Sequence, residues 1–278
     1  MKSKSAFLKA LLTITLSALT LCFIFPIFIV FINSFKTKFS INLSPFTFPN
    51  SETFAGIENY INGLADTGFL SAFGYSLFIT VASVAVIVIC TAMTAWYLVR
   101  IKNKLTSFLY LFFIFSMIIP FQMVMFTMSK TANTLGLDNP LGIVLIYLGF
   151  GSGLSVFMFT GFIKGVPKSI EEAATIDGCT PIKTFFLVVF PILKPTAVTV
   201  AILNAMWIWN DYLLPYLVIG SDYKTIPVAI QYLKGGYGSV DMGAMMAVLI
   251  LAVIPVIIFY LFCQRFIING VAAGAVKG

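Results

Sequence analysis

The sequence predicts an all-α integral membrane protein with six spanning helices and both termini on the cytoplasmic side. Composition argues first: of 278 residues, 60% are hydrophobic and only 10% charged, whereas a soluble domain carries about 25% charged residues. Mean hydropathy is +1.02. Six mostly apolar runs, at 9–32, 70–98, 106–128, 141–162, 197–218 and 243–263, each reach the roughly 20 residues that a helix needs to cross hydrocarbon. Only short connections remain between them, so residues 1–278 read as a single transmembrane domain with no room for a soluble catalytic one.

Taken in order, the first run is expected to be a span and not a removable signal peptide. Its stretch from Ala10 to Ile32 exceeds an h-region of about 7–15 residues, and no A-x-A site follows it. Pro26 should kink it. The connection 33–69 contains Pro45, Pro49, Asn50 and Gly56, and a short helix is expected around Glu58 to Leu64. Arg100 to Lys104 is a tight turn between spans two and three, and 129–140 is a second polar turn. Segment 219–242 is rich in Gly and Tyr, with Gly235, Gly236 and Gly238 clustered. Three cysteines, Cys22, Cys90 and Cys263, lie in spans and Cys179 lies in a polar loop, a pattern that suggests neither a disulfide framework nor a metal site. The chain has no histidine, which removes the commonest proton shuttle and metal ligand.

The net charge of +7 raises the question of nucleic acid, but its distribution follows the membrane. Lys and Arg concentrate in short cytoplasmic segments. With the amino terminus inside, Lys2, Lys4, Lys9, Arg100, Lys102, Lys104, Lys164, Lys168, Lys183, Lys194, Arg265 and Lys277 all fall inside. Only Lys36, Lys38, Lys130, Lys224 and Lys234 fall outside. Topology accounts for the charge, and no nucleic-acid partner is needed.

Segment 163–196 is the exception among the connections, being long, amphipathic and punctuated. Ser169-Ile170-Glu171-Glu172 has the S-x-x-E form of a capping box. A helix from there should run to about Asp177 and stop at Gly178, which tolerates the left-handed position after a helix. Thr180-Pro181 has the form of a new N-cap followed by proline in the first turn. The second helix, carrying Ile182, Phe185, Phe186 and Val189, should reach Pro191. Ile170, Ala173, Ala174 and Asp177 are spaced to share one face of the first helix. Two alanines there would let a partner backbone approach, and the acidic groups would offer charge. The residues alone leave two readings open: a docking hairpin, or an amphipathic connector lying on the bilayer surface.

Glu172-Ala173-Ala174-x-x-Asp177-Gly178, followed downstream by Val188-x-Phe190-Pro191, closely resembles the EAA loop of ABC importer permeases. That family's pattern ends in I-x-L-P, so Val188 and Phe190 are mild departures. The tail from Gln264-Arg265-Phe266 to Gly270-Val271-Ala272-Ala273-Gly274-Ala275-Val276-Lys277-Gly278 resembles the carboxyl end of the carbohydrate-uptake, maltose-type branch. Asn33-Ser34-Phe35-Lys36 and Trp209-Asn210-Asp211-Tyr212 are similar to weaker features of the same branch.

The resemblance implies a permease subunit in a bacterial inner or plasma membrane, with no catalytic residue and no metal site of its own. No G-x-x-x-x-G-K-[ST] occurs in the chain, so no loop can cradle ATP phosphates here. ATP and Mg would belong to a partner ATPase dimer, with no cofactor on this chain. The EAA loop would dock on that ATPase through Glu172, Ala173, Ala174, Asp177 and Gly178. Further implied partners are a second permease subunit forming a heterodimer, an extracytoplasmic solute-binding protein received by the outer segments 36–66 and 221–241, and the lipid bilayer. The transported solute would be a sugar or oligosaccharide, with a polyol or a glycerophosphodiester-type solute as the alternative.

For the substrate pathway the candidates are Asn204, Trp207, Asn210 and Asp211. Asp211 is the one acidic or basic residue placed inside a span, where such groups usually face a cavity or a partner. Aromatic rings and short polar groups suit a sugar. A plainer reading has Asp211 near the outer end, capping or pairing with a neighbouring span. A secondary transporter is the main alternative class, but it usually carries several intramembrane charges and broken helices. A membrane enzyme would need a nucleophile–base pair that the chain does not offer.

Overall fold

A computed structural model of the chain describes residues 2–233 and 241–275, and the side chains of 8–233, 241–264 and 266. The described residues form helices and turns without β-strands, apart from an isolated bridge between Lys36 and Phe54. The order is α1 (Lys2–Asn33), α2 (Lys38–Leu43), α3 (Glu58–Thr67), α4 (Phe69–Arg100), α5 (Lys104–Ser116), α6 (Phe121–Thr134) and α7 (Gly142–Ile163). It continues with α8 (Ser169–Ile176), α9 (Pro181–Thr184), a π-turn at Phe185–Val189, α10 (Phe190–Asn210), α11 (Leu213–Val218), α12 (Ile226–Tyr232) and α13 (Met242–Ala275). Five of the described helical stretches are long and apolar enough to cross a membrane, and six if one bent pair counts as a single span. In a bilayer this choice is forced, because backbone groups in hydrocarbon must be satisfied within their own segment. The clustered glycines 235, 236 and 238, together with Lys234 and residues 276–278 of the tail, lie outside the described residues.

Two expected spans differ from the structure. The run 106–128 is not one helix: α5 ends at Ser116, and α6 leaves at 105° to it. Pro120 sits at the break as the residue before α6, with φ −63° and ψ 137°. Proline has no N–H to continue a ladder, and its ring pushes the residue before it out of the helical region. The run 197–218 also shifts. Its helix starts earlier, at Phe190, and ends at Asn210; Asp211 is extended, with ψ 124°, and the chain restarts as α11. Pro191 does not stop the helix that precedes it, because α9 passes into one π-turn and then directly into α10. Proline within a first turn gives up a donor that would lack a partner in any case.

The chain divides into two compact units, residues 1–70 with 229–255 and residues 71–228 with 256–278. In the first unit, Asn59 on α3 is buried and donates from Nδ2 to the carbonyls of Ser34 and Lys36, each at 2.8 Å. A side chain at Gly243 would run into the Asn59 amide. Lys36, counted by sequence among the outer charges, is fully buried. Its ammonium donates to Ser44 O at 2.9 Å, and burial holds its pKa below the ordinary lysine value.

In the second unit, α7 is the helix on which its neighbours converge. Its run Gly149-Phe150-Gly151-Ser152-Gly153 lets other helices approach closely, as small residues do in membrane interfaces. A Cβ on Gly151 would come within 2.7 Å of Ile87 on α4 and 2.8 Å of Asn204 on α10. One on Gly153 would come within 2.7 Å of Ser116 Oγ and 2.8 Å of Phe113 O on α5. Gly153→Leu should therefore destabilise the protein by about 1–3 kcal/mol, the range for overpacking. Gly149→Ala, whose added Cβ meets nothing within 4 Å, should be near neutral; unfolding in mixed detergent micelles compares the two.

Candidate functional site

The polar loop begins as α7 ends, and α8 follows Pro167 and Lys168. The expected capping box is absent. Ser169 is the first helical residue, and Lys168 precedes the helix with no side-chain cap. Glu172 does not reach back to Ser169; it pairs with Lys168 at 3.4 Å, both groups exposed. The second punctuation is present. Gly178 has φ 80°, a region that favours glycine, and Thr180 Oγ1 accepts from Lys183 N ahead of Pro181.

The four residues expected on one face of α8 separate. Ala174 is buried, while Ile170, Ala173 and Asp177 are exposed with Glu172 and Ile176. The inward side is set by Glu171, which the sequence reading did not single out. Its carboxylate is held by α4: Trp96 Nε1 donates to Oε2 at 2.9 Å, and Arg100 contacts Oε1 from Nε at 2.8 Å and from Nη2 at 2.6 Å. Arg100 Nη2 also donates to Val166 O at 3.0 Å. Trp96 packs on Phe185 in the π-turn, ring centroids 5.6 Å apart. The available signal was the doublet Glu171-Glu172, where one acid can turn inward while the other stays out, together with an arginine at the very end of a span.

The candidate pathway residues also part company. Asn204 is buried and donates to Ser155 Oγ at 3.2 Å and to Val200 O at 2.8 Å. Asp211 lies just past the end of α10, so it is not within a helix. Its Oδ1 accepts from Leu213 N and Leu214 N, and its Oδ2 accepts from the Tyr147 hydroxyl at 3.1 Å. The plainer reading of Asp211 matches this geometry. Trp207 stands edge-on to the Tyr147 ring, centroids 5.5 Å apart, and remains 41% exposed. Asn210 is exposed and donates to Met206 O. Tyr147 went unnoticed in the sequence because a tyrosine in an apolar run gives no periodic signal. On α4, the buried hydroxyls of Thr80 and Ser83 have no partner within the described residues.

Helices of spanning length and apolar composition, joined by a polar loop that carries the short helix α8, define a multi-pass membrane protein. The chain belongs to the family of binding-protein-dependent transport system inner membrane components, which matches residues 87–272. The probable starch degradation products transport system permease protein AmyC of Thermoanaerobacterium thermosulfurigenes is 40% identical over 270 residues, covering 97% of each chain. The multiple sugar-binding transport system permease protein MsmG of Streptococcus mutans is 36% identical over 257 residues, covering 91% of each. A crystal structure of a bacterial ABC transporter involved in the import of alginate contains a chain with the same fold. Its TM-score is 0.76 at 21% identity, covering 94% of this chain and 97% of that one.

Tyr147→Phe would keep the ring against Trp207 and remove the donor to Asp211. Losing one such hydrogen bond should lower stability by about 1–3 kcal/mol, read from unfolding in mixed micelles, with Asn210→Ala as the near-neutral comparison.

Proposed function

We propose that this chain is a transmembrane permease subunit of an ATP-driven importer for a sugar or oligosaccharide, with both termini cytoplasmic. Family membership and the sugar-transport names of its relatives support the class of solute. That the chain carries no G-x-x-x-x-G-K-[ST] motif supports assigning ATP and Mg to a separate ATPase dimer. A second permease subunit and an extracytoplasmic binding protein complete the assembly.

The observation that carries the coupling role is the two-sidedness of α8. Its inner side is anchored by Glu171, and its outer side presents Ile170, Glu172, Ala173 and Asp177. Ile176 is 86% exposed, and Ile170 beside it is exposed as well, as apolar residues that dock on a partner would be. The Glu172–Lys168 pair is exposed, and such pairs contribute about 0–1 kcal/mol. Glu172 therefore exchanges Lys168 for a basic residue of the ATPase at little loss. The left-handed Gly178 follows the end of α8 and lets the chain turn there into α9. On the substrate side, Trp207 and Asn210 keep exposed surface for a sugar, whereas Asn204 and Asp211 are engaged within the chain. A secondary transporter would need free charge in the spans, and Asp211 is already taken up by Tyr147 and the start of α11.

The ATPase should copurify with the wild-type chain and be lost with Glu172→Lys, which reverses the charge at the exposed face. Solute uptake by this chain alone, in vesicles without ATP, would sink the reading.

A further inference from the structure

By sequence, the polar loop is tied to α7 before it and to α10 after it. The structure adds a third attachment, to α4. Trp96 and Arg100 lie four residues apart, on one face of the last turn of α4. Between them they occupy both oxygens of Glu171. Arg100 holds the loop backbone at Val166, and Trp96 lies against Phe185 at the base of α10. One pair of side chains thus holds the entry of the loop, its helix and its exit.

The two acids of the doublet differ in how firmly they are held. Side-chain exposure is 15% for Arg100 and 11% for Glu171, against 67% for Lys168 and 59% for Glu172. Breaking a desolvated pair strands a buried charge, which is strongly unfavourable, whereas an exposed pair is exchanged readily. A load applied to the outer face of α8 therefore passes through Glu171 before the node yields. At its other end the path is equally close-packed, since Ile87 of α4 meets α7 at Gly151, where Asn204 of α10 also arrives.

We propose that Trp96, Arg100 and Glu171 are positioning residues that make α4 move as one body with the coupling helix. ATP-driven displacement of α8 then reaches α4 directly and not only through the chain ends at α7 and α10. This rests on the coupling role of α8 proposed above.

The test uses the complete transporter, with its ATPase, second permease subunit and binding protein, in lipid nanodiscs. Deuterium uptake by α4 peptides is measured with and without a non-hydrolysable ATP analogue. Wild type should show a nucleotide-dependent change in α4. Trp96→Phe keeps the ring against Phe185 and removes the donor to Glu171; Glu171→Gln keeps the shape and removes the charge. Both should retain the ATPase but reduce the α4 response by about fivefold or more, the scale of a typical coupling between sites. An α4 response absent in wild type, unchanged in both variants, or lost only together with ATPase binding would overturn the proposal. Failure of the underlying coupling role appears separately, as an ATPase retained by Glu172→Lys.

Discussion

A polar group placed in hydrocarbon has no water to turn to, so each must be satisfied by the protein or face a cavity. That constraint organises the second compact unit of this chain. Asn204 is answered by Ser155 and by its own helix, Asp211 by Tyr147 and the first amides of α11, and Ser129 by Leu217 O. Each of these three pairings joins separate helical segments, whereas Thr91 and Thr94 bond back within α4. Gly151 permits the approach of α10 at Asn204, and Gly153 permits that of α5.

The same economy separates two adjacent acids into two jobs. Glu171 is desolvated and fully partnered, so it belongs to the body of the protein. Glu172 is exposed and loosely paired, so it is available to another molecule. A one-residue step along a helix turns a side chain by about 100°, which is enough to send neighbouring carboxylates to opposite environments. An exposed acid and a buried, anchored one are thereby built from consecutive residues, the arrangement on which the proposed coupling role rests.

Much of this was legible in the sequence. The apolar runs located the spans because bilayer thickness imposes a length that composition reveals. Gly178 and Thr180-Pro181 marked a stop and a restart because their backbone requirements are local. What depended on tertiary partners was not legible. Ser169 had the right spacing for a capping box, yet it is the first helical residue of α8, and the adjacent Glu171 is held by Arg100 from a distant helix. Pro120 and Pro191 look alike in sequence; the first breaks a helix by 105°, while the second is absorbed after a π-turn. The difference lies in where each falls: Pro120 precedes α6 in extended backbone, while Pro191 sits in the first turn of α10. Asp211 resembled an intramembrane charge because α10 was expected to extend to 218, and the true helix end turns it into a cap.

The distance between spin labels at Tyr97 on α4 and Thr175 on α8, two exposed positions, reports whether the two helices move as one body when it is measured in a cysteine-free background of the assembled transporter. It should stay within about 2 Å between the nucleotide-free and ATP-bound states. A change of about 5 Å, one helical turn or more, on ATP binding would contradict a shared motion of α4 and α8.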